Sequence, residues 1–388
     1  MKSVKKVLSV LLILIMSLCL FVGCDPKKKV DDEVIKADTS WFKDSETTFT
    51  ISNAAQFYGF SELAKTNNFS GKTIKLGADI KLNNVDATIL KNWKEGKAAP
   101  KNVWAPIGTT GGNPFAGKFD GQGYTISGLY VDSKVEAAGL FGKVAYTAEI
   151  GNFKLVDGVI KSTKSKVGVI GEGLLTKVEN IYTNVTMKAE GNFVGGIVGW
   201  YEGSYTDKNL GNSEGWTKNP MTIKNCWVDG EIITGSEAYA IGGIVGGQNN
   251  RNRIDILNCI FSGTMNIGRE DGNTRAGGIY GWVNWSSMYN LKNCLVTGTI
   301  NAENKASVGA IVGSLAADGL SIVNCYAVGD KAVGNEGGKT YVISDGTMKT
   351  LDEIKGLDVS AAFPLLEGET TSPWEKASGS TPVLKGLK

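Results

Sequence analysis

Gly196-Ile197-Val198-Gly199 is one of six copies of a short phrase in this chain. The others are Gly139-Leu140-Phe141-Gly142, Gly168-Val169-Ile170-Gly171, Gly243-Ile244-Val245-Gly246, Gly278-Ile279-Tyr280-Gly281 and Ala310-Ile311-Val312-Gly313. They are separated by 29, 28, 47, 35 and 32 residues. A unit of roughly 30 residues that recurs in this way specifies a stacked solenoid rather than a globule around one centre.

A second phrase follows each glycine phrase. It runs from Asn225-Cys226 to Gly230, and again from Asn258, Asn293 and Asn324, each Asn followed by Cys and a glycine four residues later. Earlier copies begin at Asn152 and Asn180, the latter with Ile181 in the Cys slot. Apolar residues alternate within each phrase (Ile223, Ile256, Leu291 and Ile322 stand two before the Asn), which is strand periodicity. Each repeat therefore holds about three short strands with glycine-rich corners. The fold expected is all-β: a right-handed parallel β-helix of about seven rungs, spaced ~4.8 Å.

Upstream, Ser52-Asn53 is placed to cap a helix over 54–65 that covers the first rung. The stretch 90–100 reads as a polar insertion. Downstream, 346–357 reads as a short helix and Pro382-Val383-Leu384 as a closing strand of a C-terminal cap. The organisation expected is a leader at 1–23, a tether at 24–45, the N-terminal cap and first rungs at 46–135, the repeat solenoid at 136–335 and the cap at 336–388.

The Gly-Gly-Ile-Val-Gly and Asn-Cys-x-x-x-Gly-x-Ile phrases resemble GLUG repeats, as does Phe119-Asp120-Gly121-Gln122-Gly123-Tyr124-Thr125-Ile126-Ser127-Gly128-Leu129. The resemblance covers about residues 50–335. It implies a β-solenoid on a secreted or surface-attached bacterial protein, of the kind found in adhesin-like proteins and beside the peptidase domains of some IgA-cleaving metallopeptidases.

Lys2, Lys5 and Lys6 precede an apolar run over 7–22, as in a secretory leader. The ending Gly23-Cys24 resembles a bacterial lipobox, which implies lipid on Cys24 and attachment to the extracytoplasmic face of the membrane. Without residues 1–23 the chain carries 38 basic and 39 acidic side chains, a net charge of −1, so nothing in its charge points to nucleic acid. The whole chain has no histidine, which removes the Ser-His-Asp triad, the Cys-His pair and the HExxH zinc site.

Cys226, Cys259, Cys294 and Cys325 share one slot, so they stack in a line. A line cannot surround a zinc ion, and the slot reads as buried packing thiols. The asparagines form a second row, hydrogen-bonded rung to rung. Asp157 and Asp229 each precede a turn glycine and read as turn formers rather than a catalytic pair. No metal and no cofactor is expected.

The binding candidates are aromatic and cationic residues of the loops after the glycine phrases. They are Trp200, Tyr201, Tyr205 and Trp216 in one loop, Arg251 and Arg253 with Gln248 in the next, and Trp282, Trp285 and Tyr289 in a third. Flat rings beside amide and guanidinium donors suit sugars or extended polymers. The function expected is a non-catalytic, lipid-anchored surface protein that binds a glycan or extracellular polymer. A structural spacer of the cell envelope or a β-helix carbohydrate-active enzyme are the alternatives.

Overall fold

The computed structural model describes residues 33–388 except 110–112, 147, 174–176, 203–220, 250–252, 285–288, 306, 345 and 388. Cys24 and the leader lie outside the described residues. Among the described residues no helix is long and apolar enough to cross a membrane.

Residues 34–388 form one unit of stacked parallel strands. One rung illustrates the plan. Val194–Gly195 belongs to a four-stranded sheet, Val198–Glu202 to a seven-stranded sheet, Met221–Val228 to the largest sheet and Glu231–Thr234 to a six-stranded sheet. Each pairs in parallel with its counterpart on the next rung: Val198 with Val245, Ile223 with Ile256, Ile232 with Met265. The seven-stranded sheet matches the expected rung count. The main path of the largest sheet has ten strands, because Thr48–Ile51, Thr73–Leu76, Lys118–Asp120 and Tyr341–Ile343 add rungs that lack the glycine phrase.

The glycine phrase works by close approach. A Cβ at Gly196 would run into the carbonyl oxygen of Gly243, and one at Gly243 into that of Gly278. Gly278 would meet Ala310 O in the same way. Ala310 closes this row, which is why the sixth phrase can begin with alanine. The phrase-ending glycine is not a corner, however. The strand runs through Gly199 and on to Glu202.

The first helix, α1 (Ala54–Leu63), is capped by the Asn53 side chain, which accepts from Gln56 N at 3.0 Å. Its large buried residues are Phe57 and Phe60. Phe57 stacks on Trp104 at 5.0 Å, and Phe60 meets Phe69, Phe115, Phe119 and Phe141, so a cluster of rings plugs the first rungs. A second helix, α2 (Ala87–Glu95), runs into the stretch read as a polar insertion; it is capped by Asp86 and ended by Gly96 at φ 71°. It buries Trp93 against Tyr130, 5.3 Å between centroids.

The C-terminal segment corrects the sequence reading most. The helices α3 (Leu351–Gly356) and α4 (Val359–Ala362) and the antiparallel pair Trp374–Glu375 with Val383–Leu384 do not continue the ladder. They lie along the outside of the largest sheet. Ile354, Phe363, Trp374 and Leu384 form one cluster with Tyr182, Trp227, Ile260 and Leu295, a column of outward residues on successive rungs. Trp227 and Ile260 are large apolar residues on an outer face, and this segment removes them from water.

Candidate functional site

Two rows run along the largest sheet. Asn152, Asn180, Asn225, Asn258, Asn293 and Asn324 all have left-handed backbone, φ between 51° and 61°. Asparagine tolerates that conformation better than other residues with a Cβ, and it bends the strand here. Each amide nitrogen donates to the carbonyl oxygen of the preceding Asn: 2.8 Å from Asn180 to Asn152, 2.9 Å from Asn225 to Asn180, and 3.1 Å for the Asn258–Asn225 and Asn293–Asn258 steps. The row ends on Asp120, which accepts from Asn152 at 2.9 Å. One residue on, Cys226, Cys259, Cys294 and Cys325 point into the core as free buried thiols. Their Sγ atoms donate to carbonyls two residues back, at 3.3–3.4 Å. Burial pushes the thiols of Cys259, Cys294 and Cys325 well up. These are internal supports, as the sequence indicated.

Asp157 and Asp229 are turn residues. Asp157 has φ 53°, and Asp229 accepts from Ser262 Oγ at 2.7 Å. Among the described residues no group of three or more Cys, Asp or Glu is placed to hold a metal ion.

The aromatic candidates divide. The side-chain alternation breaks at Gly199: Val198 and Tyr201 both face the core, and Trp200 between them faces outward. Tyr201 and Tyr289 are 0% exposed and belong to the core, which removes both from any surface site. Gln248 is likewise buried, donating to the Tyr289 hydroxyl, which in turn donates to Asn284 O at 2.6 Å. Arg253 forms a bidentate pair with Asp255, both contacts 2.9 Å. Tyr205, Trp216, Arg251 and Trp285 lie outside the described residues.

Trp200 and Trp282 do share a column, in register through Gly247 on the rung between. The missing side chain at Gly247 is filled from below: a Cβ there would meet Trp200 Cζ3 at 3.2 Å and Phe193 Cδ1 at 3.5 Å. Trp200 is thereby only 5% exposed, with its indole N–H donating to Glu202 at 2.7 Å.

Three residues that the sequence reading missed complete the patch. Phe193 packs on Trp200 at 3.9 Å between centroids, and Tyr239 meets Trp282 edge-on at 5.2 Å. The Arg275 guanidinium lies 3.9 Å above the Tyr239 ring and 5.1 Å from that of Trp282. Phe193, Tyr239, Arg275 and Trp282 are each partly exposed. Partial burial lowers the Arg275 pKa, while Tyr239 opposes the shift. The signal available in sequence was position. Phe193, Tyr239 and Arg275 stand three or four residues before a glycine phrase, at the start of the short strand beside the Trp column or one residue ahead of it. Phe193 holds φ 66°, a costly conformation for an aromatic residue. The patch can offer ring faces and edges together with guanidinium N–H groups to a ligand at the surface.

No family model matches the chain. A stretch of 132 residues, 32% of the chain, is 31% identical to halomucin of Haloquadratum walsbyi; the match spans 1% of halomucin's length. A solved structure from Bacteroides ovatus, provisionally described as an immunoglobulin A1 protease, superposes with a TM-score of 0.59. The superposition covers 89% of this chain and 94% of that one at 21% identity, a likeness of fold. The fold is thus that of a parallel β-solenoid.

Proposed function

We infer that this is a lipid-anchored, extracytoplasmic surface protein of GLUG-repeat type, whose solenoid binds an acceptor-rich polymer, a glycan first, through the patch at Phe193, Tyr239, Arg275 and Trp282. The observation that carries the reading is Arg275. Its guanidinium is held over two rings on an outer face, where a stack that only had to support itself gains little from ordering a long cation. Its outward N–H groups suit hydroxyls, carboxylates or sulfates, and the ring edges suit the apolar faces of sugars. The 132-residue match to halomucin supports an extracellular setting. The leader ending at Cys24 supports the anchor.

A screen of the secreted chain against mucins and glycans tests this reading. Tyr239→Ala with Trp282→Ala is expected to abolish binding and leave the melting temperature nearly unchanged. Binding that survives the double change would remove the patch from the reading. Failure of labelled palmitate to enter the protein would remove the anchor.

A further inference from the structure

The asparagine row has two halves. An amide nitrogen carries two hydrogens, and the ladder uses one. At Asn258 the second goes to Glu369 Oε1 at 2.9 Å, and at Asn293 to the carbonyl oxygen of Pro364 at 2.7 Å. Trp374 Nε1 donates back to Asn258 Oδ1 at 3.2 Å, and Lys224 pairs with Glu369 at 2.8 Å. The C-terminal segment is therefore read by the row as a ligand would be, through one main-chain carbonyl and one carboxylate.

On the earlier rungs the same donors face open space. Asn152, Asn180 and Asn225 have the same backbone conformation and the same ladder bonds. Each amide nitrogen makes its ladder bond alone, so by the repeat its second N–H points as those of Asn258 and Asn293 do. These three residues line a groove of about 400 Å³. Its opposite wall is Pro373, Leu384 and Leu387 of the C-terminal segment. The cover stops for a visible reason. The segment still covers the outward Tyr182 and Trp227 on the Asn180 and Asn225 rungs without reaching those two amides, and on the Asn152 rung the apolar column gives way to Lys154.

We propose that this groove binds an extended peptide bearing an acidic side chain, seated on Asn180 and Asn225 as residues 364–374 are seated on Asn258 and Asn293. Three donors in a row at ladder spacing, ~4.8 Å apart, suit carbonyls and a carboxylate presented by a strand-like chain. Lys154 and Lys385 line the groove and supply positive charge. Asp120, at its far end, is engaged by the Asn152 and Gln122 amides and leaves Asn180 and Asn225 free to donate. The apolar wall suits the ligand's side chains. The site is separate from the aromatic patch and does not depend on it.

The test uses the full-length chain and a fluorescent peptide with the sequence of residues 362–375, compared with its Glu369→Gln form by anisotropy. The native peptide is expected to bind, and the Gln form about tenfold more weakly, the usual effect of losing a charge-assisted hydrogen bond. Asn180→Gly, which keeps the left-handed backbone and removes the donor, should weaken binding similarly. Lys154→Glu changes no ladder bond and should also weaken it, so the test stands even if Asn180→Gly fails to fold. No binding at millimolar peptide overturns the proposal. So does binding indifferent to Lys154→Glu, which would place the peptide on Asn258 and Asn293 by displacing the native segment. Displacement of the peptide by neutral oligosaccharides, with the same variant dependence, would make the groove a glycan site and overturn the assignment to peptide.

Discussion

The asparagine and cysteine rows contrast with the aromatic patch on the seven-stranded sheet. Each row repeats one residue type at one slot, because the partner of every member is its own copy one rung away. Asn258 is satisfied by Asn225 and Asn293, and Cys259 packs among its stacked equivalents. The patch repeats nothing. Phe193, Tyr239, Arg275 and Trp282 are four different residue types; Phe193 and Arg275 share one slot two rungs apart, and the others come from neighbouring slots. Stacking explains the ladder bonds and the buried thiols of the rows, and nothing of the patch. In a solenoid, the feature that breaks the repeat is the one left for function.

The contrast fails if the rows tolerate change. The largest effect is expected from Cys259→Asp, which places a carboxylate in a fully buried slot; a loss of several kcal/mol, on the order of the whole stability, should leave the chain unfolded. Far-ultraviolet circular dichroism reads this directly. Asn258→Ala removes two ladder bonds, the contacts to Glu369 and Trp374, and the residue best suited to φ 51°. The cost should be about 2–3 kcal/mol in denaturant titration. Asn324→Ala, on a later rung with one ladder bond at 3.4 Å, should cost roughly half as much.

Cys294→Ala should cost about 1–2 kcal/mol through lost packing. The same row predicts a pH dependence. Burial raises the thiol pKa in the fold, while in the unfolded chain thiols ionise near their ordinary value of 9.0. The stabilisation is complete below that pH and is lost as pH rises above it. The melting temperature should fall between pH 8 and pH 10, and less so in Cys294→Ala. A profile identical in the two proteins would show that these thiols do not report burial.

The smallest stability effect belongs to the patch. Tyr239→Ala with Trp282→Ala should cost about 1 kcal/mol, as changes at partly exposed positions do. Trp200→Ala should cost about 2–3 kcal/mol, since that ring is buried over Gly247. Equal losses from the two experiments would erase the distinction between a supporting ring and a presented one.

The strand period, the rung length, the capping helix at Asn53 and both internal rows were legible in sequence. Each depends on neighbours one rung away, and the repeat itself announces them. The helix over 87–95 was legible in principle, through Asp86 before it and Gly96 after it, but its buried face is a single Trp93 and has no period to read. The inward turn of Tyr201 was misjudged for a local reason. Gly199 lies within a strand but breaks its alternation, so Val198 and Tyr201 both turn inward, and it must be glycine because a Cβ there would meet the backbone of Val167.

By itself the sequence determined a parallel β-solenoid with asparagine and cysteine rows, because stacking equivalent residues is a one-dimensional problem solved within a period of about 30. Tertiary structure alone decided where the C-terminal segment goes. Nothing in residues 351–387 states that they lie along the side of the stack rather than across its end. That outcome depends on Tyr182, Trp227, Ile260 and Leu295 forming an apolar column only once their rungs are aligned. The same alignment leaves Asn152, Asn180 and Asn225 uncovered, and gathers Tyr239, Arg275 and Trp282 from separate strands onto one face. Side chains that meet across rungs without being copies of one another leave at most a positional trace in the sequence, and only the folded stack shows which of them meet.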